Sequence, residues 1–117
     1  LASGLLSGKY KPSEGAFTGE GRLEALKDSQ NPAFQKFTER NWKTVAELEN
    51  VAKELDRSMA QVAVNWTMNR PGVGSVIVGA TKLSQLEDNL KAVDFEIPTE
   101  LSDRLEAISR PEPQFPY

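Results

Sequence analysis

The chain has 117 residues, with 14 Lys or Arg against 17 Asp or Glu, and therefore a formal net charge of -3. It contains no Cys and no His, which excludes a disulfide framework, a cysteine nucleophile, a zinc-finger or zincin site and a Ser-His-Asp triad. A pI of about 5.0 and a mean hydropathy of -0.48 argue against a nucleic-acid or anionic-membrane partner and against a transmembrane helix.

The first ten residues are small, apolar and punctuated by glycine. We expect residues 1–6 to include the end of a β-strand. The chain opens on Leu1 rather than Met, and no basic-then-apolar signal segment follows. We therefore expect a cytosolic (cytoplasmic) chain that starts within a longer gene product or follows a cleavage.

Residues 11–41 read as a loop. Glycines and prolines interrupt every regular period in this stretch: Pro12, Gly15, Gly19, Gly21 and Pro32. A loop of this length within a compact domain is typical of a lid or a binding loop, or else of disorder.

A regular pattern begins at Trp42. Apolar residues at helical spacing predict an amphipathic helix over residues 42–56. Ser58 and Gln61 have the capping-box spacing that starts a second helix, which ends before Pro71.

The remaining elements alternate between strand and helix. Residues 73–78 form a short β-branched run that suits a buried strand. Leu83, Leu86 and Leu90 predict a helix after it, and Thr99 is expected to cap a final helix before a proline-rich, extended tail at 111–117.

This order predicts an α/β protein that is mostly helical, with one or two short parallel strands. A lone strand can neither satisfy its own backbone groups nor cover both of its faces. We therefore expect one partial domain over residues 1–117. Its parts are a strand-end segment (1–10), a loop (11–41), a helix-helix-strand-helix-helix unit (42–110) and the tail.

The turn after the predicted strand is the first candidate site. A strand that runs through a short turn into a helix creates an anion-binding site. The free N–H groups of the first helical turn and the positive end of the helix dipole point outward there. Polar groups could follow a bound nucleotide along this turn and helix: Gly79, Thr81, Lys82, Gln85, Asp88 and Asn89. An ordinary strand-to-helix turn with a solvated lysine explains the spacing equally well.

The opening segment is the second candidate. Leu1, Ala2 and Ser3 follow an expected strand, where α/β proteins place ligand loops. Lys9 could reach back to a phosphate, and Arg22 could close over one from the loop. A surface lysine and a solvated loop arginine are the alternatives. Two such turns are similar to the phosphate site of (β/α)8 barrels.

Three segments, in register, resemble the aldo-keto reductase family. They are residues 1–10, residues 60–73 with their Trp66 and Arg70-Pro71-Gly72, and residues 76–90 with their Gly79-Ala80-Thr81. The similarity covers essentially the whole chain, and it is greatest to the branch of general-stress reductases and potassium-channel β-subunits. It implies the C-terminal third of a (β/α)8 TIM barrel that reduces carbonyl substrates by hydride transfer from NADP(H).

The resemblance also assigns roles to the candidate residues. Leu1, Ala2 and Ser3 match positions along the pyrophosphate, Lys9 matches a lysine that pairs with it, and Arg22 is a looser match. The positions that match the 2′-phosphate and adenine site are Gly79, Thr81, Gln85, Asp88 and Asn89. Many relatives carry Lys in place of Gly79 and Arg in place of Gln85, so NAD(H) stays open beside NADP(H).

No catalytic residue is carried over. The family's Asp, Tyr, Lys and His grouping comes from earlier strands, and neither Tyr10 nor Tyr117 matches its tyrosine. The chain alone is therefore expected to be inactive and to bind no metal.

Two alternative functions, from other classes of protein, remain open. A partial barrel would leave apolar faces uncovered, which predicts a non-catalytic piece that self-associates when it is expressed alone. Residues 55–66 also have the rhythm of a helix-turn-helix DNA-binding domain, although the negative net charge and the single cation Arg70 disfavour it.

Overall fold

The computed structural model describes residues 1–13, 16–18, 23, 30–31, 36 and 38–111. The described residues form a 3₁₀ turn (Ala2–Ser7), strands β1 (Lys11–Ser13) and β2 (Ala16–Thr18), and helices α1 (Glu39–Leu55), α2 (Met59–Met68), α3 (Leu83–Leu90) and α4 (Thr99–Ser109). A second 3₁₀ turn, Lys91–Val93, follows α3 directly. The described part of the chain is thus mostly helical, as the sequence predicts.

The N-terminal segment is a turn and not the expected strand end. Ala2, Ser3 and Gly4 have φ values of 53°, 58° and 96°, far from the negative φ of a strand. The N–H groups of Gly4 and Leu6 both donate to the carbonyl of Leu1, at 3.1 and 3.2 Å. These local bonds curl the backbone instead of leaving it available to a sheet.

The paired strands also differ from the prediction. β1 and β2 are antiparallel, with Lys11 opposite Thr18 and Ser13 opposite Ala16, and they lie within the stretch that the sequence predicts to be loop. A two-residue connection can join only antiparallel neighbours. Among the described residues no parallel pair occurs.

Helix α2 follows its predicted boundaries, whereas α1 starts three residues before the predicted residue 42, within the stretch predicted to be a loop. α1 starts at Glu39 because the Thr38 hydroxyl accepts the N–H of Asn41. The capping box of α2 is confirmed: the Ser58 hydroxyl accepts the N–H of Gln61 at 3.1 Å, and the Ser58 N–H donates to Gln61 Oε1 at 3.4 Å.

Two apolar clusters hold the helices together. One is centred on α1, α2 and α4, and its buried members are Leu48, Val51, Ala52, Val62, Ala63 and Leu105. The other joins α1 to the N-terminal segment through Leu5, Tyr10, Leu23 and Val45. Leu6 and Met59 pack against both clusters, so the N-terminal turn is fixed against the start of α2.

Helix α2 is buried along most of its length. All six residues from Ala60 to Asn65 are buried, and Arg70, just beyond the helix, stacks on the Trp66 ring at 4.5 Å and pairs with Glu106. A recognition helix must present its side chains to a groove. The burial of α2 therefore weighs against the helix-turn-helix interpretation.

Helix α4 is fastened to α1 by charge as well as by packing. Arg104 Nε donates to Glu47 at 2.6 Å, and Arg104 Nη1 donates to Glu54 at 2.8 Å. These two hydrogen bonds raise the pKa of Arg104 above its usual value. Pro98 precedes the helix as its N-cap, so Thr99 is the first helical residue and not the predicted side-chain cap.

Residues 73–78 do not form the predicted buried strand. The Ile77 side chain is 98% exposed, and no backbone hydrogen bond joins residues 74–80 to another described residue. A strand exists only where a neighbour completes its ladder. The β-branched pattern is present, but no described strand lies beside it.

Candidate functional site

The N-terminal turn carries the first group of predicted ligand residues. Leu1 and Ala2 are exposed and Ser3 is half-buried. The left-handed backbone of Ala2 and Ser3 is closed by the bonds to the Leu1 carbonyl and by the Ser7 hydroxyl, which donates to the Gly4 carbonyl at 2.6 Å. Non-glycine residues rarely hold this conformation, and where they do it is a common feature of ligand-contacting turns.

Lys9 lies directly over this turn. A Cβ atom added to Gly4 would be 3.2 Å from Lys9 Cε and 3.4 Å from Lys9 Nζ, so the absence of a side chain at Gly4 makes room for the lysine stem. The ammonium is 6.0 Å from the centre of the Tyr10 ring, and Lys9 is exposed. The arrangement places a solvent-accessible cation above the turn.

The second group lies where α3 begins. The Thr81 N–H and hydroxyl both donate to Gln85 Oε1, at 3.0 and 3.2 Å, so Gln85 folds back over the turn. Among the described residues no side chain caps α3, which begins after Lys82. An uncapped helix start beside a lysine attracts anions.

Asp88 and Asn89 have surroundings that the sequence did not indicate. Asp88 Oδ2 accepts the Ser58 hydroxyl at 2.7 Å, and Asp88 Oδ1 accepts Gln61 Nε2 at 2.9 Å. Asn89 is buried, with 7% of its surface exposed. Asp88 thus lies against the start of α2, whereas Thr81, Lys82 and Gln85 are exposed.

The N-terminal turn and α3 both contact the start of α2. On one side, a Cβ atom added to Gly8 would lie 2.8 Å from the Met59 sulfur. On the other side, Asp88 bonds to Ser58, the residue that precedes Met59. The structure therefore brings the N-terminal turn and α3 to adjoining residues of the α2 start.

One predicted residue, Gly79, is not part of this arrangement. Gly79 is exposed, and nothing lies within 4 Å of a Cβ atom added there. Arg22 lies outside the described residues. Ser58, Gln61 and Met59 are the residues that sequence reasoning missed as part of the site: the capping-box signal identified the first two, but only as a helix start.

Tyr10 is part of the core of the N-terminal segment. It is fully buried, and its phenol oxygen accepts the Leu23 N–H at 3.0 Å. Tyr117 lies outside the described residues. The absence of a catalytic residue from this chain stays a prediction.

The described residues contain neither a membrane-spanning helix nor a metal-binding cluster. No helix there is long and apolar enough to cross a membrane. No group of three or more carboxylates in the same part of the chain is arranged to hold a metal ion.

Comparison with known proteins identifies the family of this chain. The model of the aldo/keto reductase family matches residues 1–110. The chain belongs to the aldo/keto reductase family.

Individual relatives agree with this assignment. The chain is 38% identical over 117 residues to a probable voltage-gated potassium channel subunit beta of Oryza sativa, covering 97% of this chain and 34% of the relative. A protein of the same name from Arabidopsis thaliana is 42% identical over 94 residues, covering 80% of this chain and 28% of the relative. An L-glyceraldehyde 3-phosphate reductase of Escherichia coli K12 is 34% identical over 98 residues, covering 80% of this chain and 27% of the relative. The chain spans about a third of the length of these curated relatives.

Proposed function

We propose that the chain is the C-terminal, cofactor-binding part of a (β/α)8 aldo-keto reductase that uses NADP(H), and that it holds the adenosine and pyrophosphate end of the dinucleotide. The observation that carries this proposal is the meeting of two anion-seeking turns at one helix end. The N-terminal turn contacts Met59 at Gly8, and α3 contacts Ser58 through the Asp88 carboxylate.

The residues of the two turns fit an anionic, extended ligand. The α3 start offers a helix N-terminus that no described side chain caps, with Lys82 exposed beside it. The N-terminal turn offers Lys9 above a backbone that Gly4 keeps open. The two lysines lie on either side of the start of α2. This arrangement suits a ligand that carries phosphate groups at two separate positions.

The bound dinucleotide would supply hydride for reduction of a carbonyl substrate. The chain's own residues would hold its two phosphate regions. Lys9 and the Ser3 turn would hold the pyrophosphate, and Lys82 with the first turn of α3 would hold the 2′-phosphate. Gln85 orders the Thr81 hydroxyl and N–H, but its amide cannot replace the fork of an arginine. We therefore expect NADP(H) to be preferred over NAD(H) by a modest factor.

Direct binding tests this proposal. NADPH and NADH are titrated into the full chain by calorimetry, together with Lys9→Ala, Lys82→Ala and the control Lys53→Ala. Lys53 is an exposed lysine on α1 that pairs with Glu49. We expect each site variant to weaken NADPH binding about tenfold, the effect of one charge-assisted contact. Equal losses in Lys53→Ala, or no heat with either nucleotide, would refute the proposal.

We further propose that the chain alone does not turn over substrate. The family's proton donor would come from a part of the barrel that has no counterpart in these residues. Purified chain mixed with NADPH and a series of aldehydes should therefore show no loss of NADPH absorbance. Measurable turnover would contradict this part of the proposal. The cytoplasmic location also stays a prediction.

A second role rests on a separate observation. A run of large apolar side chains is exposed between the α2 end and α4: Ile77, Val78, Leu83, Leu86, Leu90 and Val93. Exposed apolar side chains, next to an extended segment without described backbone partners, favour association. We propose that the isolated chain self-associates through it, which light scattering at micromolar concentration would detect.

A further inference from the structure

We propose that α3 is a contact surface for a second copy of this chain, and that the two copies pair their α3 helices in antiparallel orientation about a twofold axis. It rests on the proposed self-association, and it names the helix, the partner and the register. The packing of α3 and the charges at its two ends carry it.

The apolar face of α3 is turned away from the protein. Leu83, Leu86 and Leu90 are 70%, 39% and 59% exposed, and leucines at this spacing share one face of a helix. The contact of α3 with the start of α2 is polar instead, because the Asp88 carboxylate accepts the Ser58 hydroxyl there. A surface helix normally turns its apolar face to the core. The leucine face of α3 is therefore a surface that suits a partner.

The spacing of this face suits a partner with the same sequence. Val93, in the 3₁₀ turn that follows α3, is 68% exposed and continues the face. The steps from Leu83 through Leu86 and Leu90 to Val93 are three, four and three residues, which is the spacing of a coiled-coil seam. This pattern is the same in both directions. An antiparallel pair therefore places Leu86 beside Leu90 of the second copy, and Leu83 beside its Val93, as a self-complementary twofold contact requires.

The two ends of this surface carry opposite charges. Lys82 precedes α3 at the positive end of the helix dipole, and Asp94 follows the 3₁₀ turn. Both side chains are exposed, and neither pairs with a charged group elsewhere in the described part of the chain. The register that aligns the apolar residues brings Lys82 level with Asp94 of the second copy, at both ends of the pair. A parallel pair would place Lys82 beside Lys82, so the charges favour the antiparallel orientation.

Glu87 makes the register specific. It is exposed, and it flanks the leucine face close to the position of the twofold axis. The pair therefore brings the Glu87 carboxylates of the two copies near each other, and like charges at this distance repel. Removal of this charge should strengthen the pair, whereas removal of a charge that lies elsewhere on the surface should not.

Sedimentation equilibrium of the purified chain without nucleotide, at micromolar concentrations, tests the pair. The wild type is compared with Leu86→Asp, Lys82→Glu, Asp94→Lys and the variant that carries both charge reversals. The control Lys53→Glu makes the same change of net charge at an exposed position of α1. Circular dichroism establishes which variants keep their helices.

We expect the wild type to dimerise and Leu86→Asp to be monomeric. Each single charge reversal should weaken the dimer about tenfold, because it turns an attraction at both ends of the pair into a repulsion. The doubly reversed variant should return to within about twofold of the wild type, since its charges attract again. Glu87→Gln should strengthen the dimer by about twofold, and Lys53→Glu should leave it unchanged.

Three outcomes would overturn the inference: a wild type that stays monomeric, a folded Leu86→Asp that still dimerises, or a doubly reversed variant as weak as the single ones. If Leu86→Asp fails to fold, the charge reversals decide, because both positions are exposed. None of these measurements contains nucleotide. An absence of heat with NADPH would therefore refute the proposed cofactor site and not the pair.

Discussion

Replacement of Asn65 by leucine should destabilise the fold strongly. Asn65 is 1% exposed, and its Nδ2 donates to the carbonyls of Ala92 and Phe95, at 2.8 and 2.7 Å. These bonds join α2 to the turn that ends α3. Leucine has a similar size but no donor, so both carbonyls lose their partner while the packing volume changes little.

The size of the effect follows from the two lost bonds. Each is worth about 1 kcal/mol net, and a buried carbonyl left without a partner costs about 1–3 kcal/mol. Ala92 is 1% exposed, whereas Phe95 is only half-buried, so water can reach the second carbonyl. We expect the free energy of unfolding to fall by about 2–4 kcal/mol, a large share of the 5–15 kcal/mol typical of a domain.

Urea unfolding followed by tryptophan fluorescence measures this loss, because Trp66 adjoins the substituted position. The matched control is Asn50→Leu, the same substitution at an exposed position of α1, which should change stability by no more than about 0.5 kcal/mol. A loss below about 1 kcal/mol for Asn65→Leu, with an unchanged dependence on urea, would refute the reasoning, since it would show that the two carbonyls need no donor.

Three further predictions use other features of the fold. Gly8→Ala should lower the free energy of unfolding by about 1–2 kcal/mol, because Gly8 has φ of 82° and a Cβ atom there meets Met59. The control Gly74→Ala, with open space around the added methyl group, should be neutral or slightly stabilising in the same urea assay. Arg104→Met should lower the free energy of unfolding at low salt and lower it less at about 1 M salt, and a loss independent of salt would contradict an electrostatic origin. Ile77→Asp should convert a self-associated chain to monomer in light scattering, and an unchanged mass would remove Ile77 from the interface.

The helices of this chain were predictable because their signals are local. Apolar spacing and the Ser58–Gln61 capping box lie within a few residues of the elements that they define, and no distant segment is needed to read them. The family segments were recognisable for the same reason: they are continuous stretches of sequence. The two turns that the sequence singled out, at Ser3 and Thr81, are both present in the structure.

Tertiary structure decided what depends on distant partners. The pattern of residues 73–78 favours a strand, but a strand requires a neighbour, and no described residue supplies one. The sequence also did not indicate that Asp88 accepts hydrogen bonds from Ser58 and Gln61, which lie 30 and 27 residues earlier in the chain. Sequence spacing reveals hydrogen-bonding capacity, whereas only the packing of α3 against α2 determines which groups use it.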